Sequence, residues 1–207
     1  MLCDGDAKTY IKLNSVKPYG KNVEIEKEEC INHMGKRLGT ALRGAVDKWK
    51  VLGVTLGGRG DGAITKHVIT KLQKYYDKSI RSNIGNIHNM KSAIYATLHH
   101  SISTDSKPQH FLCPPGSNSW CFYKRAEADC KPPPPHKKRV GTPIRECYLA
   151  KILPIYQRLA SDSLLKRCQM GKTQKCERKS SFNDMEAVPK GNFCFKTTGR
   201  ICSVPSC

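Results

Sequence analysis

The stretch from Ile64 to Arg81 constrains this chain more than any other. Ile64, Val68, Ile69, Leu72, Tyr75, Tyr76 and Ile80 recur at helical spacing, while Lys66, Lys74, Lys78 and Arg81 fall outside that face. Such a helix must bury its apolar stripe against another element. Met90, Ile94, Tyr95 and Leu98 repeat the pattern, so a second helix follows and the two can pack on each other. The fold class expected is mainly α with a small α/β remnant near the N-terminus.

The rest of the chain is arranged around that pair. Residues 6–16 have the spacing of a short helix, closed by Lys17-Pro18-Tyr19-Gly20. Val23 and Ile25 alternate with Asn22, Glu24 and Glu26, which predicts one short strand. From Cys30 to Lys50 the pattern is helical but interrupted by Gly35, Gly39 and Gly44, and glycines 53, 57, 58, 60 and 62 predict a flexible loop over 51–62. A Pro/Gly/Ser loop at 108–119 leads to Trp120, Phe122 and Tyr123. Lys131-Pro132-Pro133-Pro134-Pro135-His136-Lys137-Lys138-Arg139 reads as a stiff basic linker. Two short helices are expected over 143–169, split near Ser161 as N-cap. After Gln169 no period is sustained. The expected division is 1–29 as a core remnant, 30–130 as a helical insertion with a Cys/His cluster, 131–141 as the linker, 142–174 as a helical segment, and 175–207 as a poorly ordered tail.

Charge speaks to partners. Lys and Arg total 36 against 17 Asp and Glu, a formal net charge of +19, and polyanions are the natural partners of such a surface. Lys66, Lys74, Lys78 and Arg81, with Lys137, Lys138 and Arg139 of the linker, are the expected phosphate-backbone contacts, and nothing predicts base readout. No segment approaches the ~18 apolar residues of a transmembrane helix, so no membrane partner is expected. The eleven cysteines cannot all pair internally. With no basic flank or apolar run at the N-terminus, they read as reduced thiols of a protein that is not secreted, some of them metal ligands.

His100, His110, Cys113 and Cys121 could supply four nitrogen and sulfur ligands to a structural Zn²⁺ within one short stretch. A core thiol cluster around Trp120 with solvated histidines accounts for the same residues equally well. Cys30 and His33, one helical turn apart, form a competing half-site. His67, His88 and His136 lie among polar residues and read as surface. At the other extreme of the chain, Asp4-Gly5-Asp6 is a turn able to present carboxylates to a hard cation.

Taken in order, Asp4-Gly5-Asp6-Ala7-Lys8, Cys30-x₂-His33, Lys36-Arg37-Leu38-Gly39-Thr40, His100-Ser101-Ile102-Ser103-Thr104, Pro108-Gln109-His110, Cys113-Pro114, Ser119-Trp120-Cys121 and Gly171-Lys172-Thr173-Gln174 form a specific series. It resembles the Mutator-like transposase domain over about residues 1–174. The resemblance implies a nuclear, ribonuclease H-like transposase of the Asp-Asp-Glu type acting on transposon-end DNA; self-association is a further partner expectation for the chain. It further implies two Mg²⁺ or Mn²⁺ ions held by three carboxylates. Asp4, with Asp6 beside it, matches the second carboxylate, Val23–Ile25 the last core strand, and Cys30 and His33 the superfamily's Cys-x₂-His element. The helical stretch matches an insertion between the second and third carboxylates.

Two departures accompany the match. The family's first aspartate stands upstream of the first position here. Where the family runs Gly-Lys-Thr-Gln-Asn-Pro-Asn-Glu, this chain places Arg178, or Ser180 when aligned from Ser181-Phe182-Asn183, with Glu177 in neither register. The expectation is a transposon-derived, DNA-binding fragment that is catalytically incomplete. The alternative is a non-catalytic, zinc-stabilised nucleic-acid-binding or interaction module.

Overall fold

A computed structural model describes residues 2–3, 7–20, 22, 23 and 25–173. The described residues divide into two compact units, one drawn from the described residues up to Cys30 together with Lys172 and Thr173, the other Ile31–Gly171. The described residues are mainly helical, and among them no helix is long and apolar enough to cross a membrane.

In the first unit, strand β1 (Leu2–Cys3) runs into helix α1 (Ala7–Val16), and strand β2 (Glu28–Glu29) returns parallel to β1, Leu2 opposite Glu28 and Cys3 opposite Glu29. Parallel pairing demands such a crossover, and one helix supplies it. Tyr10 and Leu13 of α1 pack on the buried Ile25. The strand expected at Val23–Ile25 is displaced C-terminally, to Glu28–Glu29. The reason is local: the Val23 N–H closes a turn onto the Gly20 carbonyl (3.3 Å), which removes it from any ladder. Buried Glu28 is met by Lys172 at 3.1 Å.

The second unit is built on helices α2 (Ile31–Val51), α3 (Lys66–Arg81) and α4 (Ile87–Ile102). Its remaining helices are α5 (Phe122–Ala128), α6 (His136–Arg139), α7 (Leu149–Leu159) and α8 (Asp162–Cys168), with a 3₁₀ turn at Glu146–Tyr148. Helix α3 packs against α2 and α4, α7 against α2, and α8 against α4. Side-chain caps open α3 and α4: Thr65 Oγ1 accepts the Val68 N–H at 3.2 Å, and Asn86 Oδ1 accepts that of Asn89 at 2.9 Å, whereas Ser161, the N-cap expected from the sequence, stands at the start of α8 without a side-chain cap hydrogen bond. The shared core gathers Met34, Leu38 and Leu42 of α2 with Leu72, Tyr76 and Ile80 of α3, Met90 and Ile94 of α4, and Ile152 and Tyr156 of α7. Each such side chain contributes about 1.5–3 kcal/mol by burial.

Two sequence expectations are revised here. The glycines in 30–50 do not interrupt α2; Gly35 and Gly39 let α3 approach it. A Cβ at Gly35 would overlap the Asp77 carboxylate, one at Gly39 the Gln73 side chain, and Gln73 Nε2 donates to the Gly35 carbonyl at 3.0 Å. The glycine-rich 51–62 segment is also pinned. Leu56 is fully buried and its carbonyl accepts the Ile64 N–H at 2.8 Å, while the Gly62 and Asp61 carbonyls accept from Arg145 at 3.2 and 2.8 Å.

The apolar core ends at Ile102 and resumes at Ile144. The intervening excursion is closed at its base, where the Ile144 N–H donates to the Ser101 carbonyl and the Ser101 and Thr142 hydroxyls share a hydrogen bond, both at 2.8 Å.

Candidate metal centre

That excursion has its own interior. His100 comes from the last turn of α4, and His110 and Cys113 share a tight turn closed by the Cys113 N–H on the His110 carbonyl (3.0 Å). A second turn, with Gly116 at φ +98°, folds the chain back, so that Cys121 enters immediately before α5. All four residues are buried, and their ligating atoms lie within 4.8 Å of one another.

The separations identify what this group can hold. His100 Nδ1 lies 3.2 Å from His110 Nδ1; Cys121 Sγ lies 3.7 and 3.4 Å from those two nitrogens, and Cys113 Sγ 3.8 Å from each. Zn–N bonds of ~2.05 Å and Zn–S bonds of ~2.3 Å in a tetrahedron give edges of about 3.3 Å between nitrogens and about 3.6 Å between nitrogen and sulfur. The observed edges agree with these within a few tenths of an ångström. The group has the donor set and the dimensions of a closed, four-ligand site.

Its electrostatics point the same way. The Cys121 thiol is held well below the usual thiol range, first by the hydrogen bond from Cys113 and then by those from His100 and His110. Cys113 is pushed up, first by that bond to Cys121 and then by burial. The thiolate is the form of cysteine that ligates metal, and the Cys113–Cys121 pairing favours it at Cys121.

Outside the four ligands stands a hydrogen-bonded chain. His110 Nε2 lies 2.9 Å from Ser103 Oγ and 2.9 Å from His136 Nε2, and His136 Nδ1 lies 2.7 Å from Asp105 Oδ1. The His136 backbone N–H also donates to that oxygen, at 3.0 Å, and together these bonds hold the Asp105 carboxyl below its ordinary range. A metal on His110 Nδ1 requires the proton on Nε2. That proton can be donated to His136 Nε2, whose own Nδ1–H then reaches Asp105, so one tautomer set satisfies the chain. The His110 ring stacks on Tyr123 (4.4 Å between centroids), and His100 stands edge-on to Trp120 at 5.0 Å.

His136 therefore corrects the sequence reading. It is buried, not surface, because the proline run delivers it directly against His110. Ser103 and Asp105 were likewise missed; the one signal available was the rigid Pro132–Pro135 segment preceding a histidine. His99 faces away and packs on Phe111 at 4.9 Å, and Cys130 is exposed. Cys30 is buried in the first unit and His33 lies in α2; neither joins a group of three or more ligating side chains among the described residues. Asp4, Asp6 and Glu177 lie outside the described residues.

The basic candidates separate. Lys66 lines a cleft beside Arg43 and Gly57, whereas Lys78 and Arg139, far apart in sequence, line a different one. Arg81 donates to Asn32 Oδ1 of α2, and Lys74, Lys137 and Lys138 are exposed.

A model of the Mutator-like transposase family matches residues 1–121, more than half of the chain. The chain belongs to the Mutator-like transposase family. The matched span ends at Cys121 and so contains the whole four-residue cluster. No curated protein and no solved structure matches the chain.

Proposed function

We propose that the second unit is a zinc-stabilised, DNA-contacting body of a Mutator-like transposase, working in the nucleus and binding the phosphate backbone without sequence preference. The observation that carries this reading is the buried, converging His100, His110, Cys113 and Cys121 set, located within the family-matched span of a chain with a net charge of +19. The zinc is structural: four protein ligands leave no open position for a reacting water. Bound there, it ties the end of α4 to the excursion that follows. The parallel β1–α1–β2 crossover supports assigning the first unit to the margin of a ribonuclease H-like core.

On this reading the chain performs no DNA-cutting step of its own. The third-carboxylate position of the family motif falls on Arg178 or Ser180. A two-metal site lacking one of its carboxylates loses several kcal/mol of transition-state stabilisation, and each ~1.4 kcal/mol is tenfold in rate. Self-association would be one means of supplying missing groups from a second chain.

The test is duplex binding as a function of salt, measured by fluorescence anisotropy on the zinc-loaded chain. Counterion release predicts a steep fall, about 10³-fold or more between 50 and 200 mM salt if six or more phosphates are engaged. Affinity that stays flat over that range contradicts backbone binding and returns the chain to the interaction-module reading.

A further inference from the structure

Next to the metal centre, on the α3–α4 side, is a cleft of about 380 Å³. Lys78, Arg125 and Arg139 line it, together with Trp120, Asn83 and His100, and no carboxylate does. Its size is that of a small-ligand site (about 300–1,000 Å³), enough for one ligand unit rather than a length of duplex. Among the described residues Lys78 and Arg139 have no ion-pair or hydrogen-bond partner for their side-chain charge. Arg125 uses one guanidinium nitrogen on the Ser119 carbonyl (3.1 Å), which orients the group and leaves further donors in its fork.

Trp120 supplies the other half of the chemistry. It remains 43% exposed, the largest side chain among the exposed apolar residues, and it sits at the cleft wall. Its ring is not loose: His100 meets it edge-on at 5.0 Å, and Cys121 follows it directly in the chain. One metal-centre residue thus packs on this aromatic, and another adjoins it in the chain. A flat aromatic face beside three unopposed cations fits a ligand with both a π-surface and a phosphate.

We infer that this cleft binds one unstacked nucleotide of DNA, the base stacking on Trp120 and its phosphates held by Lys78, Arg125 and Arg139. The inference rests on the DNA-binding reading but goes beyond it, because backbone contact to intact duplex requires neither the cleft nor Trp120. Base–aromatic stacking is tolerant of sequence, which agrees with the lack of any base-reading element. Lodging a nucleotide there requires that it leave the duplex stack, so single strands and distorted or open ends are preferred over intact duplex.

The experiment uses the zinc-loaded full chain carrying Trp49→Phe, so that Trp120 is the one tryptophan reporter. Single-stranded oligothymidylate and a duplex of unrelated sequence are the two probes. Oligothymidylate should quench Trp120 emission. Trp120→Ala, made in the natural chain and followed by anisotropy, should weaken oligothymidylate binding by about tenfold or more while leaving duplex binding within about twofold. Zinc content reports whether that variant keeps its fold. If it does not, a Lys78→Gln/Arg139→Gln pair decides, set against a Lys48→Gln/Lys50→Gln pair that removes equal charge from the end of α2. The cleft pair should lose several-fold more affinity for oligothymidylate than the control pair. Equal losses from both pairs, or wild-type oligothymidylate affinity in zinc-loaded Trp120→Ala, overturn the inference. Duplex binding that persists with no single-strand binding overturns it too, yet leaves the DNA-binding reading standing; loss of both ends both.

Discussion

Helices α2, α3, α4 and α7 are held by large apolar side chains: Met34, Leu38, Leu42, Leu72, Tyr76, Ile94, Ile152 and Tyr156 are all within 1% of complete burial. Residues 103–143 contribute none of the side chains of that core. What they bury is largely polar or ligating: Ser103, His110, Cys113, Ser119, Cys121, His136 and Thr142, with Phe122, Ala126 and Val140 as the apolar share. The two regions are continuous in sequence and joined at Ser101–Ile144, but they draw on different sources of stability. A helix pair can rely on area removed from water. An excursion with two short helices cannot, and here it converges on a point where a single ion can satisfy four side chains at once. The lesson is that loss of the metal and loss of the core should have separable consequences.

The largest effect expected is from metal removal. Structural zinc contributes about 10–16 kcal/mol of apparent binding energy in small zinc domains. Chelation, or Cys113→Ser with Cys121→Ser, should therefore release 103–143 while α2 and α3 remain folded. Hydrogen exchange read segment by segment should show a hundredfold or greater acceleration across 103–143 and little change at Leu38 or Leu72. Equal acceleration in both regions would break the comparison.

Its converse is smaller. Leu38→Ala removes a fully buried side chain from the apolar region and should cost about 2–5 kcal/mol. Thermal unfolding should shift down by roughly 4–20 °C. Zinc content measured below that transition should remain that of the natural chain; zinc lost in proportion to stability would show that the two regions are one cooperative unit.

The smallest effect concerns pH. Burial, the leading cause in both cases, pushes the Tyr76 and Tyr156 hydroxyls well above the ordinary phenol range. The folded state thus favours their protonated forms. The stability they contribute is full below about pH 10, where a free tyrosine titrates, and falls as pH rises beyond it. Tyr76 also donates to the Leu159 carbonyl at 2.8 Å. Tyr76→Phe should cost about 0.5–1.5 kcal/mol at neutral pH yet flatten the alkaline decline. Denaturant unfolding at pH 7 and pH 10.5 checks the pair; an unchanged alkaline slope would remove Tyr76 from the account.

How legible these features were in the sequence follows the same division. The apolar stripe on 64–81 and its repeat at 90–98 are periodic, and periodicity is what a linear reading detects, so α3 and α4 emerge, while their Thr65 and Asn86 caps come from the structure. Gly35 and Gly39 resisted the same logic, since their value depends on Asp77 and Gln73 arriving from another helix. The four clustered residues were nameable because three of them crowd into a short stretch with turn-forming residues between. His136 was not: its role depends on where a proline run delivers it, and no local pattern encodes that destination. Pairing at Glu28–Glu29 was hidden for a related reason, two buried glutamates being the opposite of a strand signature.

Metal analysis of the purified full chain, by itself and as the Cys113→Ser/Cys121→Ser variant, tests the central claim most directly. The account predicts one zinc per folded natural chain and none retained at that site in the variant. Less than a tenth of an equivalent on a folded natural chain, or an undiminished equivalent in the variant, would contradict it.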